Sequence, residues 1–510
     1  MKNFLQHPSR KVFLLTLLFI SLTFTHCTDL VEEPKGLLAP ESFFKTIPDV
    51  EAGLYGAYSQ FVSVNLYGRE LSILLMLRSD MAAIGDQGTT ADRKQVDEFN
   101  MNSENPISRN VWNAFFRTIS AANTTLRAIP TVSGDQAIKT RLEAEGRFIR
   151  AFSYFNLVRL YGDVPYLDSP VESTAQLVGV TRTPVDQIYK TIVDDMLFAK
   201  QHLPARHTGD VRNRATSGTA ATVLADVYLT LKQFDKAAAE ARYVITNAQG
   251  LYNYSLERNY QNLFNGALAG SLKEPIFVTD WHNTIADGGV NEDWLISQTR
   301  MRGLFDRSLS VVVPTMNVYQ SWDARDYRRA VSLEDSVMVN GVKTAITQAA
   351  RASVKRPHIA KYFRFPGTQS AGDDRRADND YHIYRYADVL LMAAEAIAES
   401  EGVTPEAIGY VNQVRERARF TGTKMKDFPA EVSPTINTAS FISLVREERR
   451  LELAFEFKRW YDIKRWGILQ QVFTGPNALE ARKVDPARDY LLPIPLDEIR
   501  LNGWTQNPGY

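Results

Sequence analysis

The spacing of apolar residues predicts a chain built mainly of helices. Apolar side chains recur every three or four positions in five stretches, as on the buried face of an amphipathic helix. These stretches are 47–61, 70–79, 108–129, 137–161 and 184–202. We expect Asp49 to cap the first of these helices.

Two later stretches predict pairs of helices. The stretch 216–248 is interrupted at Lys232 and Gln233, which predicts a helical hairpin, and 383–399 with 404–419 has the same layout. In the first pair, small and aromatic residues occupy the positions where tetratricopeptide repeats place their packing residues. Because such pairs bury their faces only by stacking, the pattern predicts an all-α, tetratricopeptide-like scaffold rather than separate domains.

The stretch 444–467, LVREERRLELAFEFKRWYDIKRWG, predicts one long helix, since neither Pro nor Gly occurs before Gly467. Its charged residues surround the helix axis, so some must face the apolar side, where an unpaired charge costs several kcal/mol. A solvated helix is the alternative, but Glu452 and Glu456 are like-signed at a spacing where they repel. We therefore expect a buried structural network that includes Glu448, Arg449, Glu452, Arg459, Asp462 and Arg465.

Two polar regions interrupt the helical pattern. The first, about 80–105, predicts a long loop, and the second, 251–380, predicts a loop-rich, partly irregular insert with short β-like runs at 275–279 and 311–313. Aromatic rings stack on the apolar faces of sugars, while amides, carboxylates and guanidinium groups bind sugar hydroxyls. The candidate ligand-binding residues in these regions are Asp80, Arg93, Trp281, Asn283 and Trp294.

The two ends of the chain have distinct patterns. Residues 1–26 resemble a signal peptide, with a positive start and an apolar run, 12–24, too short to span a bilayer. Cys27, the only cysteine, follows directly and predicts a lipidated residue, with 27–45 as a polar tether. At the other end, Pro493 and Pro495 predict that the apolar run 490–494 is extended, and the final QNPGY is typical of a frayed tail.

These boundaries divide the mature chain. We expect an N-terminal helical region at 46–250 and a C-terminal region at 251–510, packed together as one globular unit.

Composition and motifs limit the possible chemistry. Lys plus Arg and Asp plus Glu both number 59, which gives no basis for nucleic-acid binding. The chain contains no nucleotide-binding glycine motif, nucleophile elbow or HExxH sequence. An acidic patch formed by Asp373, Asp374, Asp378 and Asp380 could hold calcium but lacks EF-hand spacing, so we predict neither a cofactor nor a metal. A carboxylate pair for glycoside hydrolysis stays possible from sequence, because its members can lie far apart in the chain.

Several motifs resemble the SusD/RagB-like nutrient-binding outer membrane lipoproteins. They include EGRFIRAFSYFNLVRLYGDVP (145–165), YRYADVLLMAAEA (384–396) and VNQVRERAR (411–419). EERRLELAFEFKRWYDIKRWG (447–467) and the C-terminal LLPIPLDEIRLNGWTQNPGY are also similar to that family. Two residues depart from the family pattern: Phe457 and Phe420 stand where glycine is common.

The resemblance implies a non-enzymatic protein anchored by lipid to the outer membrane and facing the exterior. Such a protein would capture oligosaccharides and deliver them to a TonB-dependent, SusC-like transporter. A peptide-binding member of the family is the alternative, and a glycan hydrolase is a third possibility. The family's ligand residues lie in variable loops, so the resemblance itself assigns no binding residue.

Overall fold

Helices dominate the structure. The computed structural model describes residues 43–281, 293–365, 377–476 and 478–510. Its α-helices, in chain order, are α1 (Ile47–Ser59), α2 (Glu70–Leu77), α3 (Ala91–Asp97), α4 (Pro106–Ala128), α5 (Gln136–Tyr161), α6 (Val185–His202), α7 (Ser217–Thr230), α8 (Phe234–Thr246), α9 (Leu295–Thr299), α10 (Met316–Ser321), α11 (Tyr327–Ser332), α12 (Tyr386–Ser400), α13 (Pro405–Arg419), α14 (Thr438–Glu452), α15 (Arg459–Trp466), α16 (Leu469–Thr474), α17 (Pro486–Asp489) and α18 (Leu496–Asn502).

The strands of the described ranges are short and pair in antiparallel twos. They are β1 (Ala82–Ile84), β2 (Pro275–Thr279), β3 (Val312–Pro314), β4 (Leu333–Glu334), β5 (Ser336–Val339), β6 (Val342–Ala345), β7 (His358–Ile359) and β8 (Tyr381–Arg385). The pairs are β1 with β3, β2 with β8, β4 with β7, and β5 with β6. The β1–β3 pair connects the segment after α2 to the insert, whereas the β4–β7 and β5–β6 pairs lie within the insert.

The helices stack as consecutive pairs, which confirms the all-α, tetratricopeptide-like prediction. Helix α5 packs on α4 and α6, α7 packs on α6 and α8, and α12 packs on α8, α13 and α14. The α7–α8 hairpin turns at Lys232, whose φ is +58°. Helix α7 is buried from Ser217 to Leu229 and α12 from Tyr386 to Ala398, so these two helices form the centre of the stack. Residues 44–510 form one compact unit.

Side-chain caps determine where several helices begin. Asp135 accepts hydrogen bonds from the backbone N–H groups of Ala137 and Ile138 at the start of α5, and Gly162 ends that helix with φ +74°. The prediction that Asp49 caps α1 is wrong by one turn. Thr46 is the N-cap, and Asp49 bonds back to its N–H at 2.7 Å in a capping box.

The prediction of one helix over 444–467 is wrong. Helix α14 ends at Glu452 and α15 begins at Arg459, with a turn between them. In this turn Phe455 and Phe457 have φ of +66° and +65°, a left-handed conformation that cannot continue a right-handed helix. The structure therefore places a break at the position where the resembling sequences commonly have glycine.

Two other expectations also need correction. The polar region 80–105 is not one loop, since it contains β1 and α3. The C-terminal QNPGY is not frayed: the Asn507 side-chain amide donates to the carbonyl oxygens of Tyr161 and Leu492, and the Tyr510 hydroxyl donates to that of Leu491. These bonds fasten the chain end to α5 and to the extended segment before α18. Among the described residues, no helix is both long enough and apolar enough to cross a bilayer.

The insert builds local cores of its own. One contains Ile296, Met301, Ile346 and Phe363, and another contains Tyr260, Phe264 and Val331. The β-like runs predicted at 275–279 and 311–313 correspond to β2 and, shifted by one residue, to β3.

The break between α14 and α15 yields a prediction about Phe457, which is 6% exposed. Phe457→Gly relieves about 1–2 kcal/mol of left-handed strain but removes a buried ring worth about 3–5 kcal/mol. We expect the free energy of unfolding to fall by about 2 kcal/mol in chemical denaturation. Lys232→Gly, at an exposed left-handed position, should change it by less than about 1 kcal/mol. A Phe457→Gly variant as stable as the wild type would contradict this balance.

Candidate functional site

A buried cluster of aromatic rings lies beneath the candidate ligand region. Trp281 packs on Tyr381 with ring centroids 4.2 Å apart, and Phe457 lies 5.8 Å from both Tyr381 and Tyr67. Trp281 is only 5% exposed. The structure therefore buries this predicted ligand residue beneath the surface, where its ring packs on Tyr381.

Trp294 and Arg93 lie beside the start of α2. The backbone N–H of Trp294 donates to the carbonyl of Gly68 at 3.1 Å, and the Arg69 guanidinium lies 4.8 Å from the centroid of the Trp294 ring. Arg69 also pairs with Glu70 at 2.7 Å. Burial lowers the pKa of Arg93, Glu70 opposes this change, and Arg69 adds to it, so Arg93 is within electrostatic range of both residues.

A second ion pair joins the two polar regions. Asp86 pairs closely with Arg302, whose side chain is 47% exposed. The backbone N–H groups of Gly85 and Asp86 donate to the carbonyls of Val311 and Ser310 at 2.9 and 2.8 Å. The polar region after β1 and the insert thus meet at this ion pair. Arg93 lies next to it, because its guanidinium donates to the Thr89 hydroxyl at 3.3 Å and the Thr89 N–H donates to the carbonyl of Asp86 at 3.0 Å.

Asp293 connects the ring cluster to this region. Its carboxylate accepts hydrogen bonds from the Tyr381 hydroxyl and, at 2.9 Å, from the backbone N–H of Leu295. Burial raises the pKa of Asp293 to about 7, although the N–H groups of Leu295 and Ile296 act in the opposite direction. Sequence reasoning did not select Asp293, Arg69 or Glu70, because their proximity depends on contacts between distant segments.

The other predicted ligand residues lie elsewhere. Asp80 is in an ion pair with Arg459, at 2.6 and 2.8 Å, which engages both carboxylate oxygens. Asn283 and Cys27 lie outside the described residues. The structure thus brings Arg93, Trp281 and Trp294 into one region and places Asp80 in a contact between the end of α2 and α15.

The acidic patch considered for calcium is only partly described. Thr279 of β2 lies opposite Tyr381 of β8 in the antiparallel pair. Asp280 and Asp380, the next residue on each side, therefore lie close together at the end of this pair. Burial, followed by the charge of Asp280, raises the pKa of Asp380 well above its ordinary value. Within the described ranges, no three His, Cys, Asp or Glu side chains are grouped closely enough to hold a metal ion.

The charged residues around the α14–α15 break form buried ion pairs. Glu452, fully buried, contacts three guanidinium groups: Arg385 at 2.5 Å, Arg328 at 3.0 Å, and Arg417. Glu448 binds Arg328 and Arg415 at 2.5 and 2.7 Å. Acidic residues from α14 thus contact arginines from α11, α13 and the end of β8.

Arg449 forms a second centre. It pairs with Asp388 of α12 and, at 3.0 Å, with Asp462 of α15. Asp462 also binds Arg465 at 3.0 Å, and Arg465 binds Glu395 at 2.6 Å. All of the residues expected to form the network are therefore in ion pairs, but Arg459 pairs with Asp80 rather than with an acid of its own stretch.

Comparisons with known proteins identify the family of this chain. A model described as the SusD family matches residues 315–510, and one described as starch-binding associating with outer membrane matches residues 56–229. SusD-like protein P2 of Formosa agariphila is 40% identical over 511 residues, covering 98% of this chain and 100% of that protein. This chain belongs to the SusD family.

SusD-family structures share the fold at lower sequence identity. A SusD homolog from Bacteroides thetaiotaomicron superposes with a TM-score of 0.80 at 22% identity, over 92% of this chain and 98% of the other. A laminarin binding SusD-like protein gives 0.75 at 24% identity, over 92% and 100%. Surface glycan-binding protein A from Bacteroides fluxus gives 0.74 at 23% identity, over 91% and 100%. These structures establish the shared fold alone.

Arg449 provides a test of the ionic network in this SusD-family chain. Arg449→Ala leaves Asp388 and Asp462 buried without that partner, so the free energy of unfolding should fall by about 3–5 kcal/mol. Arg446→Ala, a partly exposed position on the same helix, should cost only about 1 kcal/mol. Thermal and chemical denaturation measure both changes. Ligand affinity per folded molecule should not change; lost affinity at an unchanged melting temperature would contradict the structural role.

Asp293 predicts a particular pH dependence. Because its pKa is raised from 3.8 to about 7 in the folded protein, its contribution to stability is fully present below about pH 4 and is lost as the pH rises through 7. Asp293→Asn removes this loss, so the variant should gain about 2 kcal/mol over the wild type between pH 5 and pH 8. Urea unfolding at both pH values measures this gain, with the exposed Asp497→Asn as control. Equal differences at the two pH values would contradict the prediction.

Proposed function

We propose that this protein captures oligosaccharides at the cell surface and delivers them to a TonB-dependent, SusC-like outer membrane transporter. The main support is its identity of 40% to a SusD-like protein along the whole chain. Related structures described as laminarin binding and surface glycan-binding have the same fold. In this proposal a lipid on Cys27 anchors the protein to the outer membrane, facing the exterior.

We place the glycan site at the region around Trp294. A partly exposed aromatic ring lies there beside the guanidinium of Arg69, with Arg93 and Glu70 in electrostatic range. A ring can stack on the apolar face of a sugar, and the guanidinium and carboxylate groups can bind its hydroxyls. Asp86 and Arg302 would extend this polar surface on the side of the insert.

The protein in this proposal binds without catalysis. In glycoside hydrolases two carboxyl groups flank the bond that is cleaved, and one of them acts as the acid. Near Trp294, Glu70 and Asp86 are both engaged by arginines, which favours a binding role for this surface. A peptide-binding role on the same scaffold is the second candidate, because guanidinium and aromatic groups also bind peptides.

Titration calorimetry with laminarin and starch oligosaccharides tests the proposed site. Trp294→Ala should lower the affinity for the glycan that the wild type binds by about fivefold, since one stacked ring contributes about 1 kcal/mol. Trp504→Ala, a partly buried tryptophan outside this region, should bind as the wild type does. Unchanged affinity in Trp294→Ala would refute the site.

The same purified protein distinguishes the alternative functions. Binding of peptides but of no oligosaccharide would favour the peptide-binding alternative. Steady release of reducing sugar from a polysaccharide would overturn the non-enzymatic role.

A further inference from the structure

A cleft of about 630 Å³ lies at the end of the helical stack. Its walls come from the ends of α5 and α7, the start of α6, helix α15 and the C-terminal segment. None of the residues that line it belongs to the region around Trp294. We call it the cationic cleft because of the side chains described next.

Basic side chains outnumber acidic ones in the lining. Arg159, Arg182, Lys232, Lys464 and Arg465 face the cleft, and Asp163 is its one acidic residue among those described. Within this set, two arginines form ion pairs with acidic residues that do not line the cleft. Arg159 pairs with Asp226 at 3.3 Å, and Arg465 pairs with Glu395 and Asp462.

The other three cations have no carboxylate partner within ion-pairing distance in the described ranges. Arg182 donates to the carbonyls of Asp163 and Thr505 at 2.8 Å, and to the side-chain oxygen of Asn507. The Lys464 ammonium donates to the carbonyl of Arg159. These acceptors are neutral, so they satisfy hydrogen bonds without compensating the charge.

Asp163 compensates this charge only in part. Burial lowers the pKa of Arg182 and the charge of Asp163 opposes this change, but the two side chains form no ion pair. The Asp163 carboxylate accepts a hydrogen bond at 2.8 Å from the backbone N–H of Val185, the first residue of α6. A carboxylate at a helix start is stabilised there by the helix dipole. The cleft thus has an excess of positive charge facing its interior.

This excess is costly because part of it is buried. Burial, followed by the positive charges of Arg159 and Arg78, lowers the pKa of Lys464 to about 7. A negative group near the ammonium would favour its charged form, and it would also compensate Arg182. The free energy available from that compensation would favour binding of an anion.

Aromatic and aliphatic walls complete the cleft. Tyr189, Tyr461 and Trp466 contribute rings, and Leu491 and Pro508 contribute apolar surface. The volume of about 630 Å³ falls within the range of small-molecule pockets, so the cleft has room for an organic ring as well as an acidic group. Charge and walls together define a ligand with an acidic group on an organic ring.

We propose that the cationic cleft binds a ring-sized organic oxyanion, a molecule that carries a carboxylate or sulfate group. The acidic group would lie between Lys464, Lys232 and Arg182, and the ring would pack against Tyr189 and Trp466. This site is separate from the proposed glycan site and can exist whether or not that site binds oligosaccharides.

Titration calorimetry of the whole folded protein tests the proposal with four probes. D-glucuronate and D-glucose 6-sulfate carry the acidic group on a ring, D-glucose lacks it, and inorganic sulfate lacks the ring. We expect the first two to bind and glucose not to bind. Sulfate binding as tight as that of glucose 6-sulfate would overturn the organic part of the proposal.

Charge-removing variants locate the site. Lys232→Ser combined with Lys464→Met should weaken binding of D-glucuronate by about tenfold. The control, Lys139→Ser with Lys190→Met, removes the same net charge from one partly exposed and one exposed position outside the cleft, and it should bind as the wild type does. Equal weakening in both double variants, or none in either, would overturn the assignment.

A single exposed position keeps the test independent of folding. Lys232 lies on the surface turn between α7 and α8, so Lys232→Glu should leave the melting temperature unchanged. This variant places a negative charge at the cleft, and we expect it to lower the affinity for D-glucuronate more than Lys232→Ser does. If Lys232→Glu binds D-glucuronate as tightly as the wild type does, the proposed contact of Lys232 with the acidic group is wrong.

Discussion

The convergence of three arginines on Glu452 is the interaction on which the rest of the fold depends. Arg328, Arg385 and Arg417 come from α11, the end of β8 and α13, and each contacts the same buried carboxylate. In an apolar interior such an arrangement is favourable only when every charge has partners, because each ion loses its hydration. The partners are present: Glu274 binds Arg385 and Arg417, and Asp326 binds Arg328. The network therefore fixes the insert, the second helix pair and α14 in one arrangement.

The break after Glu452 follows from that arrangement. The Glu452 carbonyl accepts hydrogen bonds from Arg385 and from the Tyr260 hydroxyl, so the chain leaves the helix at the centre of the network. Glu456, inside the turn, binds Arg385 and Lys361, each at 2.7 Å. The left-handed conformation of Phe457 then directs its ring toward Tyr67 and Tyr381. In this way the ionic network is linked to the rings that underlie the candidate ligand surface.

The two proposed binding surfaces lie at the edges of the helical scaffold. The region around Trp294 forms where two polar segments meet, and the cationic cleft forms where helix ends meet the C-terminal segment. Both use charged side chains with incomplete or solvent-facing partners, whereas the charges of the central network are mutually compensated. This difference separates the groups that are proposed to contact a ligand from the groups that stabilise the fold.

The sequence alone determined the helices, the paired layout and the need for buried ion pairs, because these follow from local periodicity and from the cost of burying charge. It predicted the helical hairpin at Lys232 and the buried ion pairs of the charged residues within 444–467. It could not predict the break at Phe455 and Phe457, since left-handed phenylalanines are stable only when tertiary packing compensates their strain. Nor could it pair Asp80 with Arg459, or place Arg69 against Trp294, because these residues are distant in the chain. The tertiary structure decided which charges face each other and which remain for a ligand, since that depends on distances between segments that periodicity does not encode.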